Sequence, residues 1–252
     1  MSDIVDNQQS SFRRLIMIPN LQQISSFGAT TNDLGGILGL DVRCNLLNPW
    51  ERALKRVLDS VMVLVIGILI SPLLFLLGTL VKLDSKGSVF YGHTRIGKNR
   101  RKFKAWKFQT MVSDADQVLD AYLAQNPGLR AEWETTHKLK NDPRVTRLGS
   151  ILRKFSLDEL PQLWNVLRCE MSLVGPRPIV EDEVKHYATR FKLYTRVLPG
   201  ITGMWQVSGR NDTTYEERVR LDEYYVRNWS IWLDIYILIR TIWVVMGRDG
   251  AY

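Results

Sequence analysis

Val61-Met-Val-Leu-Val-Ile-Gly-Ile-Leu-Ile-Ser71-Pro72-Leu-Leu-Phe-Leu-Leu-Gly-Thr-Leu-Val81 is apolar for longer than a globular core requires. Crossing a bilayer takes about 20 consecutive apolar residues, and this run has that length. Two features speak against a plain crossing. Ser71-Pro72 stands at its middle, where proline removes a helix hydrogen bond and crowds the preceding turn. Both flanks are basic, with Arg52, Lys55 and Arg56 before the run and Lys82, Lys86, Arg95 and Lys98 after it. Such symmetry gives the segment no preferred orientation, and it is best satisfied if both ends stay in the cytoplasm. The run is therefore predicted to be a kinked, re-entrant helix that enters and leaves by one face. A straight anchor and a buried core helix are the plainer alternatives.

Outward from this segment the chain divides into three parts. Residues 1–48 are rich in Ser, Asn and Gly, with short apolar pieces at Leu15–Ile18 and Ile37–Leu40. They read as a short strand or two plus loops, too small to fold alone. Residues 49–86 form the membrane helix, opened by Pro49. Residues 87–252 carry strand signals at Ser88–Phe90 and Lys102–Phe108 around a turn at Gly97-Lys98-Asn99. Helical periods follow at Ala115–Ala124, Ala131–Leu139 and Val145–Phe155, the first two separated by Asn126-Pro127-Gly128. In the third, Leu148, Ile151, Leu152 and Phe155 fall on one face. The tail Trp229–Met246 is apolar on most sides, and its Trp229, Trp232, Tyr236 and Trp243 suit a membrane–water interface, with a core helix as the alternative. The expected class is α+β, with a small β-hairpin, a helical catalytic part and interfacial amphipathic helices.

The net charge of +8 over 252 residues points to an anionic partner: nucleic acid, acidic lipid or a phosphorylated substrate. Only two cysteines occur, Cys44 and Cys169, without metal-like spacing, and they read as reduced structural thiols. His93, His137 and His186 are scattered and give no ligand set. No phosphate-binding glycine loop, dinucleotide fingerprint or nucleophile elbow is present. Lys98–Lys107, interleaved with Phe103 and Trp106, is better read as a solvated strand face or a surface for lipid headgroups than as a nucleic-acid stripe.

The chemistry-bearing stretch is Arg153-Lys-Phe-Ser-Leu-Asp158-Glu159-Leu-Pro161. Ser156 and Glu159 have the spacing of a capping box, which places Asp158 and Glu159 in the first turn of a helix that Pro161 then disturbs. Acidic residues there also stabilise the helix dipole and need no further purpose. A second constellation, Met171-Ser-Leu-Val-Gly-Pro-Arg177-Pro178, mounts a guanidinium between two prolines, suited to a bidentate phosphate contact. Adjacent carboxylates among arginines and lysines near a membrane are what phosphoryl transfer requires. A carboxylate attacking a diphosphate meets negative charge and needs cations to screen it. Mg²⁺ fits, since it takes one or two carboxylates plus substrate oxygens and water. Gly200-Ile-Thr-Gly203 and Ser208-Gly-Arg210 are candidate phosphate-contacting turns, or simply backbone geometry.

Taken together, these blocks resemble the bacterial sugar transferase family, the monotopic phosphoglycosyl transferases. The likeness runs through Lys55-Arg56-Val-Leu-Asp59, Ser71-Pro72, Thr94-Arg95-Ile-Gly97, Lys107-Phe-Gln-Thr-Met111, Asp142-Pro143, Ser156–Leu163, Ser172–Pro178 and Pro199–Arg210, in the family's order. It implies a re-entrant helix broken at Ser71-Pro72 and a catalytic part on the cytoplasmic face of the bacterial inner membrane. It implies that Asp158 attacks the β-phosphate of a UDP-hexose, and that polyprenyl (undecaprenyl) phosphate then takes the phosphosugar from the aspartate. Glu159 would hold Mg²⁺, alone or with Asp158, or position the acceptor. Arg153 and Arg177, with Lys107 assisting and Arg210 from the last block, would bind phosphate oxygens. Lys55, Arg56 and Asp59 would sit at headgroup level. The reaction would be the first membrane step of O-antigen, capsule or exopolysaccharide synthesis.

Two departures stand out. Cys169 replaces the usual glycine and Gln109 the usual arginine. The insertion between Met111 and Asp142 and the ending at Gly247–Tyr252 look like the larger members that use UDP-galactose or UDP-glucose, and residues 13–48 look like the end of a preceding soluble domain. A homodimer is compatible with all of this. The competing reading is a non-catalytic membrane scaffold of the same fold, against which the intact Asp158, Glu159, Arg153 and Arg177 argue.

Overall fold

The computed structural model describes residues 45–85, 87–126, 128–130, 133, 139, 142–209 and 213–247, with the backbone of 16–17, 29–33 and 38–42. Leu15, Ile18, Ile37, Cys44, Lys86, Pro127, His137, Arg210, 248–252 and most of the helical period 131–139 lie outside the described residues. The three N-terminal strands, β1 (Ile16–Met17), β2 (Ala29–Asp33) and β3 (Leu38–Val42), form one antiparallel sheet in the order β1-β3-β2. That is one strand more than expected. β1 and β3 fall on the apolar pieces, whereas β2 is Ala-Thr-Thr-Asn-Asp, which carries no apolar signal.

Helix α1 (Pro49–Asp84) is continuous over 36 residues. It starts because Asn48 accepts from the Trp50 N–H at 3.2 Å and Pro49 sits in the first turn, where its missing donor costs nothing. Pro72 lies inside it without ending it. The carbonyl that Pro72 leaves unpartnered is that of Ile68, four residues back. The Ser71 hydroxyl donates to that carbonyl at 2.9 Å, repairing the gap locally.

Both ends of α1 pack on the same body. Near its start Lys55, Asp59 and Val63 are buried, and near its end Leu77 and Val81. Val63 joins the main core of Val166, Met171, Leu173, Val174, Tyr225 and Ile237. Leu77 and Val81 join a second cluster with Phe108 and Leu152. Between them Leu64, Val65, Ile68, Leu69, Phe75 and Leu76 are exposed.

The start of α1 is fixed by ions as well as by the apolar contact of Val63. Lys55 Nζ lies 2.7 Å from Asp234 and 3.5 Å from Asp59. Ser172 donates to Asp59 at 2.6 Å, while Tyr225 and Trp229 donate to Asp234 at 2.7 and 3.0 Å. Lys55 and Asp59 are thus buried inside the protein. Arg56 turns the other way and donates to the Leu167 carbonyl at 3.1 Å.

The hairpin pairs β4 (Phe90–Ile96) with β5 (Lys102–Phe108), from Phe90↔Phe108 to Ile96↔Lys102. The first strand therefore lies later than Ser88–Phe90. Its Gly-His-Thr-Arg centre is polar, and only pairing to β5 makes it a strand. Asn99 and Arg100 close the turn with φ of 56° and 60°. Helices α2 (Ala115–Gln125) and α3 (Arg147–Lys154) match their expected periods. In α3, Thr146 caps the Gly149 N–H at 2.9 Å. Leu152 is buried there but Ile151 is exposed, because only one side of this short helix meets α1 and Phe108.

After the turn Leu157–Glu159, helix α4 (Gln162–Leu167) begins directly behind Pro161, so the proline starts a helix rather than disturbing one. Buried Asn165 ties α4 to β5, accepting from the Trp106 N–H at 3.0 Å and donating to the Lys104 carbonyl at 2.8 Å. Two short parallel strands, β6 (Ser172–Val174) and β7 (Gly200–Thr202), hold the next loops together. A Cβ at Gly200 or Gly203 would run into the backbone of Gly175, so Gly200-Ile-Thr-Gly203 is glycine-rich for close backbone approach. Short helices α5 (Val184–Tyr187), α6 (Phe191–Tyr194) and α7 (Met204–Val207) lead to α8 (Tyr215–Asn228) and α9 (Ile231–Gly247).

The capping box Thr214–Glu217 opens α8, a signal present in the sequence but not used above. In α9, Ile237 is buried while Trp232, Tyr236, Ile239, Trp243 and Met246 are exposed along one face. Trp229 is 4 % exposed and belongs to the Asp234 network, not to that aromatic face.

Removing one partner of a buried ion network costs roughly 3–5 kcal/mol, since the remaining charges lose their compensation. Lys55→Met is expected to lower unfolding stability in detergent by that order, and a loss below about 1 kcal/mol would show the network to be solvated.

Candidate active site

The site assembles where the Leu157–Glu159 turn meets the hairpin. Ser156 takes the left-handed backbone conformation, φ 54°, and makes no side-chain cap. The capping box expected between Ser156 and Glu159 is therefore absent. Glu159 points instead to Lys107 of β5, whose Nζ lies 2.5 Å away, and the same ammonium is 3.7 Å from Asp158 Oδ2. Asp158 is 8 % exposed and sits between Leu157 and Leu160, which pack with Leu74 against the cluster of Leu77, Val81, Phe108 and Leu152. The acidic pair thus rests on an apolar cluster that takes in the second half of the apolar helix.

Four cations surround it. Arg153, one turn upstream, donates from Nε to Thr110 Oγ1 at 2.9 Å, and its charge acts on Asp158. Lys107 bridges both carboxylates. Arg177 is exposed, with its guanidinium 5.3 Å over the Trp205 ring, and its charge reaches Glu159. Arg95 also acts on Glu159, while donating to the Pro178 carbonyl at 3.2 Å.

Arg95 is expected from sequence only as a basic flank and as part of the Thr94-Arg95-Ile-Gly97 block, and His93 only as a scattered histidine, so neither is an expected site residue. In the register of the hairpin, Tyr91, His93 and Arg95 oppose Lys107, Ala105 and Phe103, so all six share one face. Extending the first strand to Ile96 would have placed both beside Lys107. Burial and the charges of Arg95, Lys107 and Arg177 hold the His93 imidazole below its ordinary range, so it is neutral.

Of the expected residues, Lys107, Arg153, Asp158, Glu159 and Arg177 come together here. Lys55, Arg56 and Asp59 belong to the foot of α1, and Ser71-Pro72 to its exposed middle. Gln109 donates to the Met111 carbonyl at 3.0 Å. Cys169 is exposed at φ 61°, the left-handed position that explains why glycine is expected there.

The two adjacent carboxyls are pushed in opposite directions. Burial raises Asp158, against the opposing pull of Lys107 and Arg153. Glu159 is also desolvated, but Lys107, Arg177 and Arg95 outweigh this and hold it below the usual carboxylate range. One environment makes a basic, poorly solvated carboxylate and the other a firmly ionised one, the division of labour expected of a nucleophile and its electrostatic partner. No group of three or more metal-ligating side chains occurs among the described residues. Two carboxylates suffice for Mg²⁺ when substrate phosphates complete its shell, so the donor set fits that ion.

A carboxylate pair inside a ring of cations, in a chain whose helix Pro49–Asp84 is long and apolar enough to cross a membrane, suits the handling of phosphate. The sequence comparisons agree with it: residues 50–248 match the model of the bacterial sugar transferases, and the chain belongs to that family. It is 49% identical over 242 residues to a UDP-galactose-lipid carrier transferase of Erwinia amylovora, covering 95% of this chain and 50% of that protein. It is 50% identical over 216 residues to the undecaprenyl-phosphate galactose phosphotransferase of Salmonella typhimurium, covering 86% and 45% respectively. With the exopolysaccharide production protein ExoY of Rhizobium meliloti it shares 51% over 198 residues, 79% of this chain and 88% of that one. The chain spans about half the length of the first two relatives.

The opposite shifts have opposite consequences for stability. A carboxyl raised on folding costs stability once pH exceeds its ordinary pKa, and a carboxyl lowered on folding adds stability there. Asp158→Asn is therefore expected to raise the melting temperature at pH 7.5 and Glu159→Gln to lower it, both differences shrinking as pH falls below 4. Thermal unfolding in detergent measures both, and shifts of equal sign would contradict this electrostatic arrangement.

Proposed function

We propose that this chain transfers hexose 1-phosphate from a UDP-hexose, galactose or glucose, to polyprenyl phosphate through a covalent phosphosugar-aspartate. The carrying observation is that the Asp158–Glu159 turn sits on the apolar helix through Leu157 and Leu160 while its carboxylates face Lys107, Arg153, Arg95 and Arg177. A soluble nucleotide and a lipid-bound phosphate can meet only at such a boundary.

In the first step an Asp158 oxygen bonds to the β-phosphorus, the bond from that phosphorus to the bridging oxygen breaks, and UMP leaves with that oxygen. In the second, an oxygen of polyprenyl phosphate bonds to the same phosphorus and Asp158 departs as carboxylate. Arg153 and Arg177 neutralise phosphate oxygens while Lys107 and Arg95 hold Glu159 ionised. Glu159, with Asp158 before attack, would hold Mg²⁺, which when bound neutralises diphosphate charge.

The same reading places α1 as a re-entrant helix on the cytoplasmic face. It is supported by the packing of both helix ends on one body and by the Ser71 hydroxyl satisfying the carbonyl freed by Pro72. The exposed Trp232, Tyr236 and Trp243 of α9 suit the headgroup zone beside it.

Detergent-solubilised protein with Mg²⁺ and undecaprenyl phosphate is expected to release UMP from UDP-galactose or UDP-glucose. Arg177→Lys is expected to lower kcat/KM at least tenfold, ~1.4 kcal/mol in the transition state, because an ammonium cannot present the planar fork. No UMP from any UDP-hexose would favour the scaffold reading, and a lysine variant within twofold of wild type would remove the bidentate contact. For topology, Ser10→Cys and Arg101→Cys, each alone in a background without Cys44 and Cys169, should both resist an impermeant thiol reagent in intact cells and react after lysis. Labelling of Ser10→Cys from outside would instead establish a straight crossing.

A further inference from the structure

Arg177 is mounted on a loop that the β4–β5 hairpin holds just beyond it. Ile96, the last residue of β4, and Ile179, two residues after Arg177, pair as an isolated antiparallel bridge. Residues that face each other in this way exchange two backbone bonds. One of them is direct, from the Ile96 N–H to the Ile179 carbonyl at 2.9 Å. The return bond runs through a side chain. Ile179 N–H donates to the Tyr194 hydroxyl at 3.2 Å, and that hydroxyl donates to the Ile96 carbonyl at 2.8 Å. One phenolic oxygen is thus inserted between hairpin and loop.

Packing alone does not call for this hydroxyl. Tyr194 is 4 % exposed in a cluster with Ile96, Ile179, Tyr187 and Val219, and its ring centre lies 5.1 Å from that of Tyr187. A phenylalanine would fill the same place and leave the bridge free to close. Burial pushes the phenol well above its ordinary range, so it keeps its proton and remains a donor. The residue after it is itself tied to the hairpin, since the Asn99 N–H donates to the Thr195 carbonyl at 2.6 Å.

The loop has few other holds. Pro176 and Pro178 have no N–H to donate, so that of Ile179 is the first backbone donor after Arg177. The Pro178 carbonyl accepts from Arg95 at 3.2 Å, and the Pro176 carbonyl from the Gly200 N–H at 2.8 Å. The Arg177 side chain is exposed, with its guanidinium 5.3 Å over the Trp205 ring.

We propose that Tyr194 is a positioning residue for Arg177: its hydroxyl is a spacer that sets the distance between loop 176–178 and the hairpin carrying Lys107 and Arg95. The width of the cleft offered to a diphosphate follows from that distance. This rests on the reading of Arg177 as a phosphate ligand. Without the hydroxyl, either the loop closes onto the hairpin or two buried backbone groups lose their partner. Both outcomes displace the guanidinium, and a displacement of about 1 Å costs up to ~100-fold in rate.

The test is kcat/KM for UDP-hexose, with Mg²⁺ and undecaprenyl phosphate, in wild type, Tyr194→Phe, Arg177→Ala and the double variant. Tyr194→Phe should lose roughly tenfold or more. The double variant should be no worse than Arg177→Ala, because the hydroxyl acts through Arg177. A general loss of folded protein would instead multiply with the loss from Arg177→Ala. Losses that multiply, or a phenylalanine variant within twofold of wild type, would overturn the proposal. In a further variant, 4-aminophenylalanine at position 194 restores a donor and an inserted atom of similar reach. It should recover most of the activity, and it serves as the measurement if Tyr194→Phe fails to fold. An amino variant as poor as Arg177→Ala would likewise overturn the proposal. Failure of the underlying reading is separable: wild type would then release no UMP, or Arg177→Ala would keep wild-type kcat/KM, and the proposal would fall with it.

Discussion

Lys55 lies between Asp234 and Asp59 and is only 6 % exposed. A buried ammonium between one buried and one part-buried carboxylate tolerates few geometries, because each charge must keep its partners or incur a desolvation penalty of several kcal/mol. Ser172, Tyr225 and Trp229 complete the set of donors, so five elements converge on it: α1, β6, α8, α9 and the link between the last two. The foot of the apolar helix is thereby fixed in angle as well as position. With Leu77 and Val81 docked at the other end against Phe108 and Leu152, the helix is held at two points on one body. The Leu157–Glu159 turn lies at the second of them, which sets the position of Asp158 relative to the apolar helix.

The electrostatics of the site follow from that placement. Leu157 and Leu160 pack on the cluster of Leu77, Val81, Phe108 and Leu152 beside the buried Asp158, while the hairpin brings Lys107, His93 and Arg95 onto one face. Glu159 receives most of the cationic stabilisation, and Asp158 is the less exposed of the two. A desolvated carboxylate beside a firmly ionised one, under a ring of arginines, is suited to attack a diphosphate without being repelled by it. His93 stays neutral amid this charge, so it adds no repulsion to the cluster.

Much of this was legible in the residues. The apolar run with Ser71-Pro72, the hairpin strand Lys102–Phe108, helices 115–125 and 147–154, and the clustering of Arg153, Lys107, Asp158, Glu159 and Arg177 need only periodicity, charge and family resemblance. What escaped depended on tertiary partners. Gly92-His-Thr-Arg95 becomes a strand only because β5 lies beside it. Ser156-x-x-Glu159 has capping-box spacing, but Lys107 competes for the glutamate and wins with a full charge. That Lys55 and Asp59 are buried depends on Asp234, 175 residues further on from Asp59, which nothing local in the sequence announces. Trp229 looked like one more interfacial tryptophan until its indole N–H proved to be spoken for by the same aspartate.

The central claim is that Asp158 is the nucleophile. It is tested most directly by mass spectrometry of the protein incubated with UDP-hexose and Mg²⁺ in the absence of polyprenyl phosphate. The expected result is one added hexose phosphate on the tryptic peptide spanning residues 155–168, discharged when polyprenyl phosphate is supplied and absent from Asp158→Asn. An adduct on any other residue, or transfer to the lipid by the Asn variant at the wild-type rate, would contradict it.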